Sequence, residues 1–266
     1  MRAICAGIDA GSRTIKVALL EGCGLELVGW GISDQGPGQA ARARELFARV
    51  LAESGVGRDE VSFVVATGYA RNSVEGADTT VTEITCHARG VCHQAPEAAT
   101  VIEIGGQDSK LLRLDGRGGV RDFAMNDRCA AGTGRFLEMV AERLEVGLEE
   151  LGEMAGRSAE PATISSVCAV FAETEIIGLL AEGAAEEDIA AGVQQAIAER
   201  AASLAHGKVE EPVVFTGGVA LVPGMERALA AALGTPVCVA ADPQMTGAVG
   251  AAMLACERMR ERAVAE

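Results

Sequence analysis

The sequence has few aromatic residues and no long apolar run. Aromatic residues make up only 3% of the 266 residues, although hydrophobic residues make up 49%. The core must therefore consist mostly of alanine, valine, leucine and isoleucine. No apolar stretch reaches the roughly 20 residues of a membrane-spanning helix, and the opening segment MRAICAGIDAGSRTIK has no long apolar region of the secretory type. We expect a cytoplasmic protein with no membrane partner.

Positive charge is also scarce. The chain has 23 lysine and arginine residues against 38 aspartate and glutamate residues, a formal net charge of −15. Such a charge repels phosphate-rich surfaces, so we expect no nucleic acid partner.

The eight cysteines contain no CxxC pair. In a cytoplasmic protein they are expected to be thiols or metal ligands rather than disulfides.

The pattern of strands, turns and helices occurs twice along the chain. DAGSRTIK, from Asp9 to Lys16, aligns with EIGGQDSK, from Glu103 to Lys110. Further on, VVATG at 64–68 matches VVFTG at 213–217. Each half reads as strand, glycine turn, strand, helix and strand. The second half is longer because it contains a helical stretch that carries two isolated cysteines, Cys129 and Cys168.

The two glycine turns are of a kind that binds phosphate. Their backbone N–H groups can cradle phosphate oxygens, and an acid at the end of the preceding strand can hold Mg²⁺, usually through water. Two such turns facing each other would grip a triphosphate from both sides. Together with a third turn, TGG at 216–218, they resemble the actin–hexokinase–Hsp70 ATPase superfamily. Ordinary hairpin turns, such as LDGRG at 114–118, are the alternative interpretation.

This resemblance implies a fold and a set of site residues. The fold is α/β, with two duplicated actin/hexokinase-like (ribonuclease H-like) domains around a nucleotide cleft. One domain is residues 1–98 plus 244–266, and the other is residues 99–243. The implied ligands are ATP or ADP and Mg²⁺. The implied catalytic residues are Asp9, Glu103, Gln107 and Asp108. The implied nucleotide-binding residues are Gly11, Ser12, Arg13, Thr14, Lys16, Gly105, Gly106, Lys110, Gly217 and Gly218. Lys16 and Lys110 are equally compatible with outward-facing strand positions.

Cys129 and Cys168 each lie at a predicted helix start. Cys129 follows Asn126 and Asp127 and precedes AAGTGRFLEMVAERL, and Cys168 precedes AVFAETEIIGLLAEG. The N–H groups of a helix N-terminus favour the thiolate, which is the form that binds metals. A four-iron cluster takes four thiolates, so a two-fold dimer of this chain would supply the full set. The alternative interpretation is two buried structural cysteines.

Seven motifs together resemble one family. GIDAGSRTIK, ATGYAR, EITCHARG, IEIGGQDSK, NDRCAAGTGRF, SSVCAVFAETE and FTGGVA are similar to the activator (component A) of 2-hydroxyacyl-CoA dehydratases and to the ATPase subunits of benzoyl-CoA reductase. The resemblance implies a homodimer in which Cys129 and Cys168 bind one shared [4Fe–4S] cluster. It implies an ATPase coupled to one-electron transfer, from ferredoxin or flavodoxin to an iron–sulfur dehydratase or reductase component. Glu103 departs from the expected aspartate, which puts its direct metal role in doubt.

Three other functions remain open from the sequence. A benzoyl-CoA-type reductase subunit would pair with a non-identical sister subunit. A small-molecule kinase of the same superfamily would lack the cluster, as would a non-redox regulatory ATPase.

The remaining cysteines suggest no function. In CHARGVCH, Cys86 and His93 lie about 10 Å apart along one helix, too far apart to bind one Zn²⁺. Cys5 and Cys238 are expected in the core, and Cys23 in a turn.

Overall fold

The computed structural model describes residues 3–22, 25–127, 129–165, 168–207 and 209–265. Cys23 lies outside these ranges. The chain forms two compact units. Unit 1 comprises Met1–Pro96, Asp115–Val120 and Gln244–Glu266, and unit 2 comprises Glu97–Leu114 and Arg121–Pro243. Within the described residues, no helix is both long and apolar enough to cross a bilayer.

Each unit contains a five-stranded mixed sheet and several helices. The strands are β1 (Ile4–Ala10), β2 (Thr14–Glu21), β3 (Glu26–Asp34), β4 (Val61–Thr67), β5 (Thr79–Thr80), β6 (Thr100–Ile104), β7 (Ser109–Leu114), β8 (Val120–Asn126), β9 (Val213–Thr216) and β10 (Val237–Val239). The α-helices are α1 (Gln39–Glu53), α2 (Glu83–Gln94), α3 (Gly134–Arg143), α4 (Leu148–Ala155), α5 (Ala169–Ala181), α6 (Glu186–Ser203), α7 (Met225–Leu233) and α8 (Thr246–Ala265).

The two sheets have the same topology. Their strand orders are β3-β2-β1-β4-β5 and β8-β7-β6-β9-β10. In unit 1, Asp9 on β1 lies opposite Lys16 on antiparallel β2 and opposite Thr67 on parallel β4. In unit 2, Glu103 on β6 lies opposite Lys110 on β7 and Thr216 on β9. The repeat predicted from the sequence is therefore confirmed down to the strand register.

The sheet of unit 1 is covered on both faces. Alternate residues of a strand point to opposite faces, so Ile4 and Ile8 of β1 pack with Leu46 and Val50 of α1. Cys5 packs in a separate cluster with residues of α2 and α8. The helical spacing of Leu46, Val50 and Leu51 puts them on one face of α1, and all three are buried.

Unit 2 has one large core cluster, which the described helices α3 to α7 share with β6, β7, β9 and β10. One prediction fails here. The apolar neighbours of Cys238 in PVCVA predict a core position, but its side chain is exposed. β10 pairs with β9 at the edge of the sheet, and Cys238 points away from the core while Val237 is buried.

Candidate functional site

The first glycine turn joins β1 to β2. The Gly11 amide donates a hydrogen bond to the Thr14 carbonyl (3.1 Å), which closes the turn. Gln35, just after β3, holds it from outside: its Nε2 donates to the Gly11 carbonyl (3.0 Å) and its amide donates to the Arg13 carbonyl (2.8 Å). Ser12 lies at the bend. Sequence reasoning missed Gln35, since nothing in its local sequence indicates a contact with this turn.

Asp9 is buried at the end of β1, immediately before this turn. Its Oδ2 lies 3.2 Å from Lys16 Nζ, across the hairpin. Gly68 lies on its other side with φ of +89°, and a Cβ placed there would come within 2.4 Å of Asp9 Oδ1. Only glycine fits this position. The Asp9 carboxylate therefore has a fixed location beside the phosphate-type turn.

The second glycine turn, between β6 and β7, has the same geometry. The Gly105 amide donates to the Asp108 carbonyl (2.9 Å), as Gly11 does to Thr14. Gln107 is exposed at the tip of the turn, beside Gly106. The turn thus presents backbone amides and a side-chain amide, which are groups that suit phosphate oxygens.

Lys110 is the most buried charged side chain of this turn. Its Nζ lies 2.7 Å from Glu103 Oε2 and 2.8 Å from Asp108 Oδ2. Lys16 has the equivalent position in unit 1 but pairs with Asp9. Of the two placements left open by the sequence, both lysines therefore take the one beside the acids.

Gly217 stands beside Glu103 as Gly68 stands beside Asp9. Its φ is +93°, and a Cβ would lie 2.3 Å from the Ile104 carbonyl oxygen and 2.8 Å from Glu103 Oε1. Its amide donates to the Pro243 carbonyl (2.9 Å). Gly218 begins a short 3-10 turn that ends at Leu221. The acid and the glycine turn are thus in contact within unit 2.

Cys129 is half-buried and held by Asn126. The Asn126 side chain accepts a hydrogen bond from the Cys129 amide (3.1 Å) and donates one to its carbonyl (2.9 Å). Arg200 Nη1 lies 3.9 Å from the Cys129 Sγ. Sequence reasoning missed Arg200, because it is on α6 and far from Cys129 along the chain.

The helix predicted to start at Cys129 starts later. Cys129 precedes a 3-10 turn, Ala130–Gly132, and α3 begins at Gly134. The first amides of α3 are already bonded: Gly134 donates to the Gly105 carbonyl (2.8 Å) and Arg135 to the Gly106 carbonyl (2.9 Å). The start of α3 is therefore fixed to the second glycine turn.

Cys168 is exposed and directly precedes α5, as the sequence predicts. The first turn of α5 has no acidic residue. Before Cys168, Ser165 donates from its amide and hydroxyl to Glu175 of α5 (2.9 and 2.6 Å). Beyond it, Val170 and Phe171 are 68% and 70% exposed.

The donor sets fit the two implied cofactors. Within the described ranges, no group of three or more histidine, cysteine or acidic side chains can hold a metal. Cys129 and Cys168 are not in disulfides, so the chain offers two thiols to a cluster that takes four. That number fits a cluster shared by two copies. Asp9 in unit 1, and Glu103 and Asp108 in unit 2, each offer carboxylate oxygens, the donor type that Mg²⁺ prefers.

Two relatives illustrate the range of similar sequences. An activator of lactoyl-CoA dehydratase from Anaerotignum propionicum is 44% identical over 257 residues, which cover 96% of this chain and 98% of the relative. One of the benzoyl-CoA reductase polypeptides of Thauera aromatica is 32% identical over 262 residues, covering 94% and 92%.

Solved structures agree with the observed fold. An activator of 2-hydroxyisocaproyl-CoA dehydratase from Clostridium difficile, with bound ADPNP, superposes with a TM-score of 0.92 at 41% identity, covering all of this chain and 98% of the other. A ROK hexokinase from Thermus thermophilus has a TM-score of 0.55 at 16% identity over 98% of this chain and 100% of its own, a likeness of fold alone. The predicted actin/hexokinase-like α/β fold is confirmed. The family model that matches residues 6–255 agrees with these relatives, and this chain belongs to the BadF/BadG/BcrA/BcrD ATPase family.

Proposed function

We propose that this chain is an ATP-dependent one-electron donor that activates a 2-hydroxyacyl-CoA dehydratase. A reduced ferredoxin or flavodoxin supplies the electron, and an iron–sulfur component of the dehydratase receives it, in the cytoplasm. The 44% identical relative carries the name of such an activator. The observation that supports the coupling is the pair of hydrogen bonds that joins the Gly105–Gly106 turn to the start of α3.

The two glycine turns and the acids beside them would supply the ATP chemistry. The amides of the turns at 11–14 and 105–108 bind phosphate oxygens. Lys16 and Lys110 balance charge beside them. Mg²⁺, when bound, would neutralise charge on the transferring phosphate, and Asp9 would help to hold it. Glu103, Gln107 and Asp108 orient the attacking water, while Gly217 and Gly218 let the backbone approach the adenosine.

Cys129 and Cys168 would hold the iron. A [4Fe–4S] cluster, when bound, accepts and releases one electron. Asn126 fixes the Cys129 backbone through two hydrogen bonds, so the thiolate has a defined position. The Arg200 guanidinium beside its sulfur stabilises negative charge there.

A continuous route leads from the nucleotide turn to both cysteines. A displacement of Gly105 or Gly106 on hydrolysis pulls on the first amides of α3, because they are hydrogen-bonded to these residues. Cys129 lies just before α3. Arg143, at the end of α3, pairs with Glu173 of α5, and α5 begins directly after Cys168. The nucleotide state can bias the cysteines only if it contacts two conformations differently, and we infer that the Gly105–Gly106 turn is where that difference would arise.

We propose a homodimer that forms along α5. Val170, Phe171 and Ile177 are exposed on this helix. The helix begins directly after Cys168, and the proposed cluster would need two further thiolates from a second copy. Phe171→Ser should convert the dimer to monomer in sedimentation velocity. Val264→Ser, at an 88% exposed position near the end of α8, is the matched control and should leave the dimer intact.

The decisive test is the content of iron and acid-labile sulfide in protein purified without oxygen. We expect about four irons per dimer, lost in Cys129→Ala and in Cys168→Ala but retained in the exposed control Cys238→Ala. Binding of ATP should persist in all three variants. Wild-type protein that holds no iron after anaerobic reconstitution would contradict the proposal and favour a kinase or a regulatory ATPase.

The reductase alternative is tested by assembly. A benzoyl-CoA-type subunit would require a non-identical sister to complete its cluster. An iron-loaded homodimer from this chain alone, which reduces a dehydratase component when ATP is present, would exclude that requirement. The lower identity to the reductase polypeptide, 32% against 44%, favours the activator.

A further inference from the structure

A buried histidine borders Gly247, as Asp9 does, and has no role in the site described above. His87, on α2, is only 6% exposed, whereas His93 and His206, the other two histidines, are exposed. The His87 Nδ1 lies 2.9 Å from the Thr246 hydroxyl oxygen, at the start of α8. One ring nitrogen is therefore held by a hydroxyl, which fixes the orientation of the ring.

The second ring nitrogen and Asp9 both lie close to Gly247. A Cβ built on Gly247 would lie 3.3 Å from His87 Nε2 and 3.0 Å from Asp9 Oδ2. The imidazole and the carboxylate therefore border the same α-carbon, and a larger residue at 247 would press against both. Asp9 Oδ2 is also the oxygen that pairs with Lys16. The ion pair with Lys16 thus uses the carboxylate oxygen that borders Gly247.

Close backbone packing fixes this arrangement. A Cβ on Gly90 of α2 would lie 1.9 Å from the Thr246 carbonyl oxygen, and one on Gly250 of α8 would lie 1.8 Å from the Cys86 carbonyl oxygen. A Cβ on Gly7 of β1 would lie 2.0 Å from the Ala248 carbonyl oxygen. The two helices and the strand are in direct backbone contact, so His87, Thr246 and Asp9 cannot shift independently.

A purely structural histidine would need only volume here, which an apolar residue supplies at lower cost because burying a polar ring is unfavourable. We propose that His87 is a positioning residue for ATP hydrolysis, which orients the Asp9 carboxylate through Nε2. In the tautomer that this role requires, the Thr246 hydroxyl would donate to Nδ1 and the ring proton would be on Nε2, the nitrogen that borders Gly247. This inference rests on the role proposed for Asp9, and it adds the group that holds Asp9 in place.

The test compares paired substitutions in steady-state ATP hydrolysis by the purified dimer. His87→Leu should lower kcat about tenfold, as loss of a partner of a metal-site ligand commonly does, with affinity for ADP changed less than about twofold. His87→Gln keeps an N–H donor and should recover most of the lost turnover. Thr246→Val should act like His87→Leu, while Thr246→Ser should behave as wild type. His93→Leu, exposed on the same helix, is the control.

Three results would overturn the inference. One is wild-type kcat in His87→Leu. Another is equal loss in His87→Leu and His87→Gln, which would indicate a structural role. The third is wild-type kcat in Thr246→Val. If His87→Leu does not fold, the kcat of Thr246→Val alone tests the role of His87. Asp9→Asn separates this inference from its premise. If Asp9→Asn hydrolyses ATP normally, the role of Asp9 is wrong. If it is inactive while His87→Leu is normal, only the role of His87 is wrong.

Discussion

At the scale of single residues, the two glycine turns hold their acids differently. Lys110 serves two carboxylates, those of Glu103 and Asp108, and its side chain is only 2% exposed. Lys16 pairs with Asp9 and is 15% exposed. A buried charge is tolerated only with charged or hydrogen-bonding partners, so the stability of unit 2 should depend more on Lys110 than that of unit 1 depends on Lys16.

We therefore expect Lys110→Met to lower the free energy of unfolding by about 3 kcal/mol, the cost of breaking a buried ion pair. The substitution removes the cation that two carboxylates share. Lys16→Met is the matched control and should cost less, because its pair is more open to solvent. Urea unfolding monitored by circular dichroism measures both. Equal losses in the two variants would contradict the difference argued here.

Arg200 should tune the reduction potential of the proposed cluster. A guanidinium beside the Cys129 sulfur favours the more negative, reduced state. Arg200→Met should therefore lower the reduction potential on the order of 50 mV, close to a tenfold change in a one-electron equilibrium constant. Arg200→Lys, which retains a positive charge, should restore part of the shift. Redox titration followed by electron paramagnetic resonance measures it. An unchanged potential in Arg200→Met would show that the contact has no electronic effect.

Local spacing makes part of the site predictable. Asp9 and Lys16, like Glu103 and Lys110, flank a short turn at equal distance, so the hairpin register brings each acid opposite its lysine. The contacts of His87 with Thr246 and of Arg200 with Cys129 join residues that are 159 and 71 positions apart. Neither contact leaves a local pattern, and the sequence alone could not reveal them.

At the scale of elements, α8 depends on glycine for its position. Gly250→Ala would place a Cβ 1.8 Å from the Cys86 carbonyl oxygen. Because that oxygen belongs to the backbone of α2, the helices must separate, and we expect a loss of about 3 kcal/mol or more, as for severe overpacking. Gly178→Ala on α5 is the control. A Cβ there meets nothing within 4 Å. Because alanine favours the helix more than glycine does, this substitution should raise the free energy of unfolding by up to about 1 kcal/mol.

Thermal unfolding of both variants, as apoprotein, tests this pair of predictions. A Gly250→Ala variant with the wild-type melting temperature would mean that α2 and α8 can separate freely.

The start of α3 shows why an element boundary can be missed. Asn126 and Asp127 are good helix-initiating residues, so the sequence predicts a helix from Cys129. Asn126 instead binds the Cys129 backbone. The amides that open α3, those of Gly134 and Arg135, find their acceptors on the Gly105–Gly106 turn. That acceptor is distant in sequence, and local capping rules do not include it.

At the scale of the whole molecule, duplication makes the fold predictable. The same strand–turn–strand and TG signals occur twice, and the two sheets share one strand order. The edge strand β10 is less predictable. The segment PVCVA that contains β10 is as apolar as a central strand, yet Cys238 is exposed. Burial at the edge of a sheet depends on what covers the strand, which the strand's own sequence does not show.

Chemical labelling of the cysteines reports on the whole chain, because cysteines are present in both units. Cys5, Cys86 and Cys256 are fully buried, and burial raises the pKa of the Cys86 thiol to about 12. A hydrogen bond to Cys256 and burial raise the pKa of Cys5. The reactive form is the thiolate, so the raised pKa makes the thiols of Cys5 and Cys86 less reactive at every lower pH.

Iodoacetamide at pH 8 should therefore modify the exposed Cys168 and Cys238 of the apoprotein long before Cys86. As the pH is raised towards 12, labelling of Cys86 should increase about tenfold per pH unit, since the thiolate fraction does so. After anaerobic loading with iron and sulfide, Cys168 should be protected while Cys238 still reacts at its original rate, which makes Cys238 the internal control. Peptide mass spectrometry reads all sites in one experiment.

Equal protection of Cys168 and Cys238 would indicate aggregation rather than metal binding. Rapid native labelling of Cys86 would mean that the packing of α2 and α8 against β1 opens in solution.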